Sequence, residues 1–124
     1  MAFFNVPVRH PDHAPRAVSA ATRVLLAVPQ INAQVAGREV LRVGIAVASG
    51  WAMSTRMGSG SCRDYTLVGD TVNLASRLQG QAGAGEILAT EEVYATVQAA
   101  FPNAQRREWQ LKGIPQPVVG YVLT

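Results

Sequence analysis

The chain has 124 residues, of which 48% are hydrophobic and 15% charged, a balance typical of a folded protein rather than a disordered one. This length suits a single domain with one core, and no apolar run reaches the roughly 18 residues that a membrane span requires. The formal charge of +3 suits an anionic partner, but the eleven Lys and Arg residues are scattered along the chain. Few aromatic residues lie among them, so a nucleotide is a better candidate ligand than a nucleic acid.

The N-terminus lacks the basic head and long apolar region of a signal peptide, which predicts a cytoplasmic location. Cys62 is the only cysteine, so the chain can form neither an intrachain disulfide nor a cysteine metal cluster. We expect an inert thiol there.

The first half of the chain predicts three strands and one helix. Residues 1–8 predict a strand closed by Pro7, and residues 10–35 predict a helix that Asp12 caps and Pro29 ends or kinks. The apolar segment 39–49 predicts a strand central to a sheet. Further elements follow in chain order: a turn at Gly50, a strand over 51–57 and a surface loop over 58–63.

The second half predicts a strand, a glycine turn at Gly69 and an amphipathic helix capped by Asp70. The later predicted elements are a strand over 86–89, a helix opened by Thr90 and ended at Phe101-Pro102, and strands over 105–111 and 118–123. This order of hairpins and crossovers predicts an α+β fold: a mixed, mostly antiparallel sheet with helices packed on one face.

The segment RDYTLVGDTVNLASRL, residues 63–78, carries the most informative polar spacing. On its predicted helix Leu74 and Leu78 share one side, while Asn73 and Arg77, at i and i+4, share the other. A guanidinium binds phosphate through a planar, charge-assisted fork, and an amide beside it can donate and accept. This pair suggests an anionic ligand, although spacing alone is more often that of a solvated helix face.

Other groups of residues give weaker indications of a functional site. His10, Asp12 and His13 could suggest a metal site, but they coincide with a helix start and lack a further fixed ligand. The GSGS segment, residues 58–61, lacks the lysine and following helix of a P-loop. Trp51 and Trp109 are predicted to be packing residues rather than base-stacking ones.

The run DYTLVGDTVNLASRL, with HPDHAPRAV before it and LKG near the end, closely resembles the catalytic domain of the class III adenylate and guanylate cyclases. The resemblance extends over nearly the whole chain and implies a ferredoxin-like core. It implies that ATP or GTP is cyclised by attack of the ribose 3′-oxygen on the α-phosphate, with Mg²⁺ or Mn²⁺ as cofactor. It also implies an active site at a dimer interface, with a second copy or another cyclase domain as partner.

The resemblance implies roles for four residues. Asn73 matches the asparagine that orients the ribose, and Arg77 matches the arginine that stabilises the α-phosphate in the transition state. Thr66 occupies the position of a residue that touches the adenine edge, so the chain resembles the adenylate type and ATP is the expected substrate. Lys112, in LKG, matches a lysine that contacts the terminal phosphates.

The family's two metal-binding aspartates have no clear match in this sequence, since both are expected on segments preceding Met1. Asp64 and Asp70 do not replace them convincingly, and Arg63 is only a shifted substitute for a phosphate-binding arginine of the family. We therefore expect residues 1–124 to form a single partial cyclase domain that holds no metal alone and is inactive as an isolated chain. The alternative is a catalytically dead cyclase-like module for dimerisation or regulation.

Overall fold

The structure is a computed structural model that describes residues 1–6, 8–34, 37, 40–57 and 64–124, with residues 55–57 and 64–66 described by their backbone. The predicted loop over 58–63, with Cys62 and Arg63, lies outside the described residues. In chain order the elements are α1 (His13–Gln34), β1 (Ile45–Val47), β2 (Met53–Met57), β3 (Asp64–Val68), α2 (Asp70–Gln79), β4 (Ile87–Thr90), α3 (Glu91–Val97) with a 3₁₀ turn (Gln98–Ala100), β5 (Gln105–Trp109) and β6 (Val118–Val122).

Four strands form the main sheet in the order β1-β4-β6-β5. β1 runs parallel to β4, whereas β4 and β5 are both antiparallel to β6. β2 and β3 form a separate antiparallel hairpin, in which Met53 lies opposite Val68. The α+β prediction with a mixed, mostly antiparallel sheet is confirmed.

Helices cover both faces of the main sheet, so the prediction that they share one face was wrong. The reason lies in β4, whose four residues are all buried. Ile87 and Ala89 join a core cluster with residues of α1 and α3, while Leu88 joins a second cluster with Leu78 of α2. Successive side chains of a strand point to opposite faces, and a strand buried on both needs cover on both.

The long first helix buries Ala14, Val18 and Ala21, which recur at helical spacing. It continues past Pro29 to Gln34, so the proline does not end it. Asp12, the predicted cap, directly precedes the first helical residue, and its carbonyl accepts the Arg16 N–H at 3.1 Å. The carboxylate of Asp12 accepts a hydrogen bond from Arg16 Nε at 2.9 Å, and no described bond joins it to a helix N–H.

Two predicted strands of the N-terminal half are absent or shortened. Described residues 1–8 contain no strand, because no described strand pairs with them and Asn5 has a φ of 75°. The Asn5 side chain instead accepts the His10 N–H at 2.6 Å. Within the predicted strand 39–49 only Ile45–Val47 is paired, and it lies at the edge of the sheet rather than its centre. No described helix is both long enough and apolar enough to cross a membrane.

Candidate functional site

A glycine turn sets the start of α2, the helix that carries Asn73 and Arg77. β3 ends at Val68, and Gly69, with a φ of 140°, is the N-cap residue of α2. This backbone conformation favours glycine because a β-carbon would be strained there. Asp70, which was predicted to be the cap, is instead the first helical residue, and no side-chain hydrogen bond caps the helix. Its carboxylate lies in the first turn, where negative charge complements the helix dipole.

The two faces of α2 differ as its spacing predicts. Leu78 is buried at 0% exposure, and Leu74 is half-buried against the same cluster. Asn73 and Arg77 are exposed on the other side. The exposed amide of Asn73 and guanidinium of Arg77 have no hydrogen-bond partner among the described residues, and the inner face of their helix is anchored in the core.

Lys112 is exposed in the tight turn that follows β5. The N–H of Ile114 donates to the carbonyl of Leu111 at 3.2 Å, which closes the turn around Lys112. Gly113 has a φ of 80°, a conformation that glycine adopts without strain. The buried residue Leu111 fixes one end of the turn, so the position of the Lys112 backbone is defined while its side chain is free to extend.

One hydrophobic cluster brings α2 and the Lys112 turn to the same face of the sheet. Its buried members are Leu78, Leu88, Leu111 and Val122, and Leu74 and Ile114 pack against them. Asn73 and Arg77 directly precede Leu74 and Leu78 along the chain. Lys112 directly follows Leu111. The structure therefore places Asn73, Arg77 and Lys112 on elements that share a core, although they are distant in sequence.

Thr66 lies in β3, shortly before the glycine turn into α2. Its backbone pairs with that of Thr55 in the hairpin ladder. The strand leads directly into α2 and packs beside it. Thr66 therefore lies on the strand that precedes the helix of Asn73 and Arg77.

An exposed apolar groove lies beside the start of α2, and sequence reasoning missed it. It has a volume of about 560 Å³ and is lined by Trp51, Ala52, Met53, Val68 and Gly69. The Trp51 side chain is 96% exposed, so the prediction that it is a packing residue was wrong. Trp109 is half-buried against the cluster of α2, as predicted. The signal available in the sequence was the alternation of Trp51 and Met53 after a glycine, which puts two large apolar residues on one side of a strand.

The structure offers no complete cation site within the described part of the chain. No group of three or more His, Cys, Asp or Glu residues comes together there. His10, Asp12 and His13, the one weak metal candidate of the sequence, form no such group.

Comparison with known proteins assigns the chain to a family. The model of the adenylate and guanylate cyclase catalytic domain matches residues 1–124, so the chain belongs to this family. A search of curated proteins found no significant match.

Three solved structures illustrate the similarity. The guanylyl cyclase Cya2 is 30% identical with a TM-score of 0.82, over 97% of this chain and 62% of that one. The guanylate cyclase domain of RhGC from Catenaria anguillulae, in complex with GTP, is 29% identical with a TM-score of 0.80, over 98% and 64%. The adenylyl cyclase CyaB from P. aeruginosa is 29% identical with a TM-score of 0.72, also over 98% and 64%. The chain thus spans less than two thirds of each.

Proposed function

We propose that residues 1–124 are the nucleotide-contacting part of an adenylate cyclase domain that converts ATP to cyclic AMP and pyrophosphate in cytoplasmic signalling. The observation that carries this proposal is the shared cluster beneath α2 and the Lys112 turn. It holds the Asn73 and Arg77 backbone and the Lys112 turn on one face of the sheet, with all three side chains exposed.

In the proposed reaction the ribose 3′-oxygen forms a bond to the α-phosphorus and the bond to the β-phosphate oxygen breaks. The 3′-hydroxyl loses its proton to solvent and pyrophosphate leaves. Arg77 binds the α-phosphate oxygens through its planar fork as their charge develops, and Asn73 holds the ribose. Lys112, a compact positive charge, binds the terminal phosphates and stabilises the leaving group.

A divalent cation would activate the 3′-hydroxyl and neutralise phosphate charge. We propose that its carboxylate ligands are supplied from outside these residues, since the family's two metal-binding aspartates have no clear match in this sequence, and that the isolated chain is inactive. We place the chain accordingly as a partial cyclase domain.

The choice of ATP over GTP rests on Thr66, since the similar structures include both adenylyl and guanylyl cyclases. A threonine hydroxyl can accept a hydrogen bond from the exocyclic amine of adenine. Competition between ATP and GTP for the purified chain measures this preference directly. Tighter binding of GTP would contradict the adenylate assignment.

We propose that the functional unit is a dimer, formed with a second copy or with another cyclase domain. The support is the uncharged groove around Trp51, Met53 and Val68, because exposed apolar surface of this kind is typical of interaction sites. Sedimentation equilibrium should show association of the chain, weakened by Trp51→Ala and unchanged by Leu26→Ala. Leu26 is a matched control, exposed at 67% on α1. A chain that stays monomeric at all concentrations would refute this part of the proposal.

The test of catalysis is Arg77→Ala in the full-length protein, with Arg23→Ala on α1 as a matched exposed arginine. Removing one preorganised donor to a transition-state oxyanion costs about a hundredfold or more in rate. Cyclic AMP formation should fall by that factor for Arg77→Ala and stay normal for Arg23→Ala. Normal activity of Arg77→Ala would exclude the proposed role.

The second candidate is a catalytically dead cyclase-like module that acts by dimerising. The observation that favours it is the combination of an exposed apolar groove with no described cation site. The two candidates differ in nucleotide binding. A chain that associates but does not bind ATP supports the module.

A further inference from the structure

The first turn of α2 is joined to a distant part of the chain by one side-chain bond. Thr71 Oγ1 donates a hydrogen bond to the carbonyl oxygen of Trp51 at 2.8 Å. Trp51 lies in the segment between β1 and β2. This bond therefore joins the helix start to the segment that leads from β1 to β2.

The acceptor of the Thr71 hydroxyl lies outside its own helix, unlike the acceptors of the other helical threonines for which a bond is described. Thr22 Oγ1 donates to the Val18 carbonyl at 3.0 Å, and Thr96 Oγ1 donates to the Val93 carbonyl at 2.7 Å, both within their own helices. Bonding to the preceding turn is the usual local choice of a helical threonine. Thr71 is the second residue of α2 and has no preceding turn in its own helix, so its hydroxyl bonds to another segment and contributes a tertiary contact.

Gly50 makes room for this contact. A β-carbon built on Gly50 would lie 2.5 Å from Thr71 Oγ1, closer than real β-carbons approach other atoms. Gly50 is not among the described glycines with positive φ, so backbone conformation alone does not require glycine there. Glycine is therefore needed at position 50 to leave space for the Thr71 hydroxyl.

The same segment also contacts the residue that starts the helix. A β-carbon on Gly69 would lie 3.5 Å from Ala52 Cα and 3.7 Å from the Trp51 carbonyl oxygen. The Gly69 carbonyl in turn accepts the N–H of Asn73 at 3.2 Å. α2 has no side-chain N-cap bond, and the Thr71 hydroxyl adds a hydrogen bond to the packing contact that Gly69 makes with the same segment.

We propose that Thr71 is a positioning residue for Asn73, acting through the Trp51 carbonyl, and that Gly50 is required to admit its hydroxyl. The functional meaning of this arrangement rests on the role proposed above for Asn73. Functional side chains need placement within about half an ångström, and a first turn without a cap frays easily. Thr71 keeps the first turn of α2 formed, and the side-chain amide of Asn73 is thereby held in one position.

The test measures amide hydrogen exchange at Asn73 by ¹⁵N NMR on the 124-residue chain, with Tyr94 of α3 as internal reference. Thr71→Val removes the hydroxyl at constant shape, and Thr71→Ser keeps it. A neutral hydrogen bond of ordinary strength corresponds to about three- to tenfold in a local opening equilibrium. We expect exchange at Asn73 to rise by that factor in Thr71→Val, with Tyr94 unchanged and with Thr71→Ser close to wild type.

Gly50→Ala provides a second, independent perturbation. It should also accelerate Asn73 exchange, and combining it with Thr71→Ala should add little to Thr71→Ala alone, because that variant removes both the bond and the atom that the new β-carbon would meet. Unchanged exchange at Asn73 in both variants would overturn the proposal. Equal acceleration at Asn73 and Tyr94 would also overturn it, since that result indicates general destabilisation.

ATP affinity of the same variants separates this inference from the proposed function. If the wild-type chain binds ATP, Thr71→Val should weaken binding about threefold or more and Thr71→Ser should restore it. If the wild-type chain does not bind ATP, the proposed function fails. The exchange data still decide whether Thr71 fixes the helix start.

Discussion

Leu78→Ala tests the cluster that supports the candidate site. Leu78 is buried at 0% exposure and contributes to the cluster with Leu88, Leu111 and Val122. Leu88 and Val122 lie directly opposite each other on paired strands, which limits how far the surroundings can move into the space left by the lost side chain. Leucine-to-alanine substitutions in such sites cost about 3–5 kcal/mol, the upper part of the usual range.

For a chain of this length, 1 kcal/mol corresponds to about 4 °C in melting temperature, so the expected decrease is about 12–20 °C. Urea unfolding followed by far-ultraviolet circular dichroism gives the free energy directly. Leu26→Ala is the control, because Leu26 is 67% exposed and its truncation should change stability by about 0.5 kcal/mol or less. A loss below about 1 kcal/mol for Leu78→Ala would refute the cluster as the support of α2.

Two further predictions concern single polar groups. Thr90 is 2% exposed, and its hydroxyl has no described hydrogen-bond partner, so Thr90→Val should raise the free energy of unfolding by about 1 kcal/mol or more; a clear loss in urea unfolding would reveal a partner for the hydroxyl. The hydrogen bond from Arg16 lowers the pKa of Asp12 below its usual 3.8. This carboxylate therefore contributes stability above pH 3.8 that is lost as the pH falls through the lower folded-state pKa. An NMR titration should place the Asp12 midpoint nearer the usual value in Arg16→Gln, and an unchanged midpoint would contradict the assignment.

The part of the fold that the sequence predicts well consists of elements with local signals. The turn at Gly69 and the alternating faces of α2 are both present, since the glycine and the spacing of Leu74 and Leu78 act within a few residues. The same holds for α3, which starts after Thr90 and ends before Phe101-Pro102.

The elements that the sequence predicts poorly depend on a neighbour. Residues 1–8 have strand-forming composition, but a strand exists only where another strand accepts its hydrogen bonds. The apolar segment 39–49 pairs along Ile45–Val47 alone for the same reason. Trp51 is exposed and lies just before a hairpin that is separate from the main sheet, and composition does not reveal that separation.

The candidate site could be predicted in part. The helical spacing of Asn73 and Arg77 indicates that they share a face, and both are exposed on α2. Their grouping with Lys112 depends on a cluster that joins α2 to a late turn, which no local pattern reveals. The roles of these residues and of Thr66 toward a nucleotide stay predictions.

The most direct test of the central claim uses the fact that Lys112 is the only lysine of the chain. An amine-reactive acylating reagent can modify only Lys112 and the N-terminal amine, and mass spectrometry follows both rates in one sample. If Lys112 binds the terminal phosphates, ATP should slow its modification several-fold, because the amine is held in a charged pair. The N-terminal amine is the internal control and should react at an unchanged rate. Modification of Lys112 at the same rate with and without saturating ATP would contradict the proposed nucleotide site.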